Sequence, residues 1–74
     1  MQKRPRWARL GARLRNARFD KRLTQEEAAD RIGIHPVMLS RYENGRSLIP
    51  LDRLAKAAGV YSTSLEDLLR DWQE

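Results

Sequence analysis

Thr24-Gln25-Glu26-Glu27-Ala28-Ala29-Asp30-Arg31-Ile32-Gly33-Ile34-His35-Pro36-Val37-Met38-Leu39-Ser40-Arg41-Tyr42-Glu43-Asn44-Gly45 reads as two short helices joined by a tight corner. Thr24 can cap the first helix, and Glu27, three residues on, completes a capping box. Ala28, Ala29 and Ile32 form an apolar stripe at helical spacing. Ala29 is small where two helices would cross. Gly33 supplies the corner, because a left-handed backbone costs glycine little. Ile34 plugs the space beneath it. Pro36 suits the first turn of the second helix, where a missing N–H loses nothing. Leu39 and Tyr42 share an inward face, and Asn44-Gly45 ends the helix.

Length and composition narrow the possibilities around this stretch. At 74 residues without cysteine, the chain is expected to form one small domain braced by neither disulfides nor a thiolate metal site. No apolar run approaches a membrane span, and no apolar segment follows the basic N-terminus to make a secretory signal. A cytoplasmic location is expected. The net charge is +5, unevenly spread: +8 over residues 1–24, zero over residues 25–63 and −3 over residues 64–74. Such a distribution suits a protein with one face on a polyanion, or simply reflects solubility and an arginine-rich composition. Nothing has the spacing of acid–base, metal or phosphate-loop chemistry. His35 stands alone, no cofactor is expected, and the chain does not read as an enzyme.

Residues 1–6 form a basic arm, either solvated or adding phosphate or minor-groove contacts. A first helix is expected from Trp7 to Phe19, with Trp7, Leu10, Leu14 and Ala17 on its inner face and Arg9, Arg13 and Arg15 mostly solvated. Leu23 can staple onto Ala28. After the short link Arg46-Ser47-Leu48-Ile49, a fourth helix is expected to begin at Pro50. Leu51, Leu54 and Ala58 form its inner stripe, and Gly59 its stop. Ser64 caps a fifth helix bearing Leu65, Leu68, Leu69 and Trp72.

The 24–45 stretch resembles the helix-turn-helix of the lambda-repressor and Cro-like family. Gln25, Ala29, Gly33, Ile34, Leu39 and Tyr42-Glu43-Asn44-Gly45 match that family's pattern in place, and the resemblance extends from helix 1 to helix 5. It implies an all-α, five-helix domain over residues 7–74. It implies double-stranded DNA as the partner, with helix 3 in the major groove. The base-facing positions it implies are Pro36, Val37, Ser40 and Arg41. Many relatives carry hydrogen-bonding residues in the first two of these; here Pro36 cannot donate, and Val37 offers only apolar contact. Arg41 is left as the main polar reader, of guanine O6 and N7, or else as a phosphate contact. Gln25, at the start of helix 2, together with His35, Asn44 and Arg46, would hold phosphates. The resemblance also implies a buried Arg18–Glu43 pair; Glu43 sits at a helix C-terminus, where the dipole disfavours a negative charge, so it needs a cationic partner.

A domain this small covers few base pairs, so a homodimer on an inverted repeat is expected. Leu48, Ile49, Tyr61, Leu65, Leu69 and Trp72 are its candidate interface, the alternative for Leu48 and Ile49 being that one or both fold down onto the core. A phage repressor, a restriction–modification controller, or an antitoxin with a toxin as partner protein would all fit. The reading from another class is a protein-interaction module that does not bind DNA.

Overall fold

The computed structural model describes residues 6–70, with side chains from residue 7. Five helices follow in order: α1 (Arg6–Asp20), α2 (Gln25–Ile32), α3 (Pro36–Glu43), α4 (Leu51–Val60) and α5 (Leu65–Leu68). No strand occurs among the described residues. The basic arm lies outside them, except that Arg6 already begins α1; Trp72 also lies outside.

The corner forms as its residues dictate. The Thr24 hydroxyl accepts from the Glu27 N–H at 3.0 Å, and the Glu27 carboxylate accepts from the Thr24 N–H at 2.9 Å. Gly33 adopts φ +87°, and both its N–H and that of Ile34 donate to the Ala29 carbonyl. The Ala29 carbonyl, in the last turn of α2, thereby gains two donors. Pro36 opens α3, and the His35 ring Nδ1 accepts from the Val37 N–H as the helix cap.

Leu10, Leu14, Leu23, Ala28, Ala29, Ile32, Leu39, Tyr42, Ile49, Leu54, Ala57, Ala58, Tyr61 and Leu68 make the core, with Leu14 and Leu39 its largest wholly buried side chains. Helix α1 packs chiefly on α3, α2 packs on α3 and α4, and α5 closes the end between α4 and α1. Two stripes of α1, offset by one residue, divide this work. Leu10, Leu14 and Ala17 face the core, whereas Ala8, Gly11, Arg15 and Arg18 face α3. A Cβ on Gly11 would lie 2.3 Å from the Tyr42 carbonyl oxygen and 2.6 Å from that of Glu43. The α1–α3 distance is therefore set by the absence of a side chain. This rotation leaves Trp7 at the rim, exposed, in place of the inner position expected of it.

The fourth helix departs from expectation in three ways. Pro50 is its cap and Leu51 its first residue. Leu51 points outward, 67% exposed, because the buried line of α4 runs through Leu54, Ala57 and Ala58. Gly59 is helical; the chain turns at Ser62, φ +55°, where the Thr63 N–H bonds the Ala58 carbonyl and the Ser62 N–H that of Gly59. Arg22, φ +57°, ends α1 in the same way.

Candidate nucleic-acid interface

Helix α3 has two faces made of different chemistry. Leu39, Tyr42 and Glu43 are buried. Val37, Ser40, Arg41 and Asn44 recur at helical spacing on the opposite side, with Val37 60% exposed and Arg41 and Asn44 also exposed. Pro36, at the first turn, is half-buried beside them, and His35 is exposed.

The inward face is tied down by a charge network. Arg18 donates to Glu43 in bidentate fashion, Nε to Oε2 at 2.7 Å and Nη2 to Oε1 at 3.0 Å. The two side chains are 8% and 0% exposed. Arg18 Nη1 donates to the Leu23 carbonyl at 2.9 Å, which links the α1–α2 turn to the same point. The hydrogen bonds that Arg18 donates to the Glu43 carboxylate raise the Arg18 pKa above its ordinary value, against the opposing effect of burial, so the guanidinium stays charged. The nearby Tyr61 phenol is pushed up to about 12, first by burial and then by the Glu43 charge. The carboxylate accepts a third side-chain hydrogen bond: Gln25 Nε2 donates to Glu43 Oε1 at 2.9 Å. The amide nitrogen expected to reach a phosphate is thus turned inward, joining α2 to α3.

The outward face is organised by a second network. Arg15 Nη2 donates to Asn44 Oδ1 at 2.8 Å. Asn44 Nδ2 in turn donates to the Ser40 carbonyl at 2.8 Å and lies 3.3 Å from its hydroxyl. Arg15 is therefore a working part of the α3 surface rather than a solvated side chain. Its place on the Gly11–Arg15–Arg18 line was the available signal. Arg41 Nε donates to Ser47 Oγ at 3.1 Å, a contact that no motif position suggests. Arg46 is exposed just past the helix.

The expected dimer residues do not share one environment. Ile49 and Tyr61 are 5% and 3% exposed and belong to the protomer's own core, so neither is available to a partner. Ile49 lies in a link that obeys no helical period, whereas Tyr61, the C-cap of α4, continues the buried line of Leu54, Ala57 and Ala58, a period that was there to be read. Leu48 and Leu51 are exposed, and Leu65 and Leu69 half-buried. Leu48, Leu51, Leu54 and Leu69 line a largely apolar groove of about 330 Å³ together with Leu10, Ile49 and Pro50. Among the described residues, no helix is long and apolar enough to cross a membrane, and no three metal-ligating side chains gather.

Comparison with known proteins agrees with this geometry. The cryptic phage CTXphi transcriptional repressor RstR of Vibrio cholerae is 33% identical over 64 residues. Those residues are 86% of this chain and 57% of RstR, so the chain spans just over half of that relative. Two crystal structures of the clp gene regulator ClgR of Corynebacterium glutamicum superpose with TM-scores of 0.88 and 0.86, at 32% and 33% identity. The first match covers 95% of this chain and 91% of ClgR, the second 92% and 73%. The apo competence regulator ComR of Streptococcus vestibularis gives 0.82 at 28% identity, covering 90% of this chain and 23% of ComR. Residues 14–68 match the helix-turn-helix family HTH_3, and with these relatives the conclusion is direct: the chain belongs to the Cro/C1-type, lambda-repressor-like helix-turn-helix family of DNA-binding transcription regulators.

Proposed function

We propose that the chain is a sequence-specific, homodimeric DNA-binding repressor that inserts α3 into the major groove of an inverted-repeat operator. The observation that carries this reading is the outward face of α3, where Val37, Ser40 and Arg41 are presented while the core residues Leu39 and Tyr42 and the buried Arg18–Glu43 pair lie on its other side. Arg41 donates to guanine O6 and N7, and Val37 meets a thymine methyl with Pro36 beside it. Ser40 contacts a base or a phosphate. His35, Asn44 and Arg46 hold phosphates at the two ends of α3, and Gln25 does so from the start of α2 with those N–H groups not committed to Glu43. Repression is supported by the similarity to RstR, itself a phage transcriptional repressor.

One eight-residue recognition helix reads only a few base pairs. Two copies, with half-sites roughly 34–36 Å apart, supply the remaining affinity and specificity. Leu48, Leu51 and Leu69 around the apolar groove are the surface for the second copy, with the half-buried Leu65 one turn before Leu69. The basic arm at residues 1–6 adds phosphate contacts to the domain at residues 7–74.

Selection of bound sites from a random DNA pool at about 150 mM salt tests both claims. The expected result is a two-fold symmetric motif with a guanine fixed in each half. Binding without an enriched motif, vanishing on modest added salt, would refute sequence reading. It would favour a protein-interaction module, a reading that the lack of donors at Pro36 and Val37 supports.

A further inference from the structure

We propose that Ser47, in the link between α3 and α4, is a positioning residue that sets which edge of the Arg41 guanidinium meets the base. The inference rests on the reading of Arg41 as the guanine-contacting residue. Arg41 is an exposed, long side chain, and ordering such a side chain on binding is costly. Here it is already held: Nε donates to Ser47 Oγ at 3.1 Å, and among the described residues the guanidinium makes no other hydrogen bond. With Nε engaged, the two terminal nitrogens form the free edge, and that edge matches the paired acceptors O6 and N7.

The serine can do this only because its own backbone is fixed. The Gly45 N–H donates to the Tyr42 carbonyl at 3.2 Å, and the Arg46 N–H to the Arg41 carbonyl at 2.9 Å. These two bonds fold the chain back over the last turn of α3. Gly45 adopts φ +71°, and a Cβ there would lie 2.8 Å from the Ala8 Cα, so α1 closes over the corner. Two residues beyond Ser47, Ile49 is buried in the core. The hydroxyl therefore stands between two anchors, and half-burial restricts it further.

Binding of the full chain is measured by fluorescence anisotropy on the selected site and on the same site with the Arg41-contacted guanine replaced. Wild type, Ser47→Ala, Ser47→Thr, Arg41→Ala and the double variant are compared. Arg41 is expected to supply a preference of about 5- to 150-fold between the two sites. Ser47→Ala is expected to reduce that preference by about 2- to 10-fold, the worth of one net hydrogen bond, and Ser47→Thr to restore it. In the Arg41→Ala background, Ser47→Ala should change nothing. In the free protein, NMR relaxation of the Arg41 Nε–H should show greater mobility in Ser47→Ala than in wild type or Ser47→Thr.

A preference unchanged by Ser47→Ala but lost in Arg41→Ala overturns the positioning role and leaves the DNA reading intact. An equal loss on both sites that persists without Arg41 also overturns it, making Ser47 a direct phosphate contact. A preference unchanged in Arg41→Ala refutes the reading of Arg41 itself, and the inference falls with it.

Discussion

Replacing Arg18 by methionine removes the cation that Glu43 faces and keeps most of the aliphatic stem. The carboxylate is fully buried, and the change would leave it one side-chain hydrogen bond, from Gln25, with Arg15 Nε at 3.8 Å. Breaking a buried pair by deleting one partner costs about 3–5 kcal/mol, chiefly because the other charge is stranded. A chain of 74 residues has a total stability of about 4–11 kcal/mol. Arg18→Met therefore removes at least a quarter of the stability and, at the low end, all of it. Glu43→Leu alone should also be costly, since it strands the buried Arg18 guanidinium, whose one remaining partner among these groups is the Leu23 carbonyl. Combining the two removes both charges, so the double variant should be more stable than the sum of the single losses requires, with a coupling of about 2–3 kcal/mol. Urea unfolding followed by far-UV circular dichroism, at constant m, gives each term. An Arg18→Met loss below about 1 kcal/mol, with additive behaviour in the double variant, would refute the reasoning, because that is the signature of a solvent-screened surface pair.

Three further perturbations follow from the backbone and the caps. Gly11→Ala places a methyl against two backbone carbonyls that cannot rotate away, so a net loss of about 1–3 kcal/mol is expected in urea unfolding, despite the roughly 0.5–1 kcal/mol that alanine adds to helix α1. A stabilised Gly11→Ala would mean that α1 and α3 stand further apart than described. Ser62→Gly relieves a left-handed non-glycine residue, a strain of about 1–2 kcal/mol partly offset by the freedom glycine adds to the unfolded chain. A rise of a few degrees in Tm is expected by calorimetry, at about 4–8 °C per kcal/mol. Glu27 has its pKa lowered, first by the bond from the Thr24 N–H, and Asp67 by the bond from Arg70. Their contribution is present above the ordinary carboxyl values of about 3.9–4.3 and is lost as pH falls through the lower folded values. Glu27→Gln keeps the capping bond without the titration, so it should flatten the acid limb of a stability–pH curve; an unchanged limb would remove Glu27 from the account.

Most of the fold was legible because the 24–45 stretch states its elements in local terms. Thr24 and Glu27, Gly33, Pro36 and Asn44-Gly45 each act within a few residues of chain, and each adopts the expected geometry. The α1–α3 contact was harder to see. A search for apolar periodicity finds Trp7, Leu10, Leu14 and Ala17, but the line that meets α3 is Ala8, Gly11, Arg15 and Arg18, which mixes small and charged residues. Helix 4 misled for a related reason. Gly59 is the residue expected at a stop, yet a turn that bonds back to Ala58 and Gly59 needs its left-handed residue at position 62, where the chain carries serine. Of the candidate interface, the resemblance identifies which α3 positions face outward. Ser47 and the inward turn of Gln25 depend on contacts across the fold that no spacing encodes.

The separation of α3 into an anchored side and a presented side has an evolutionary consequence. Substitutions at Val37 or Arg41 touch no core group, and surface changes of that kind usually alter stability by within about 0.5 kcal/mol. The lineage can therefore exchange its reading residues one at a time while remaining folded, and its operator can drift in step. Ser40 is the exception. Its turn is laced through Asn44 to Arg15, so a change there is felt on a different helix. New specificities should accordingly arise first at Val37, then at Arg41, whose side-chain contact is with the link residue Ser47, and last, with compensating changes in α1, at Ser40.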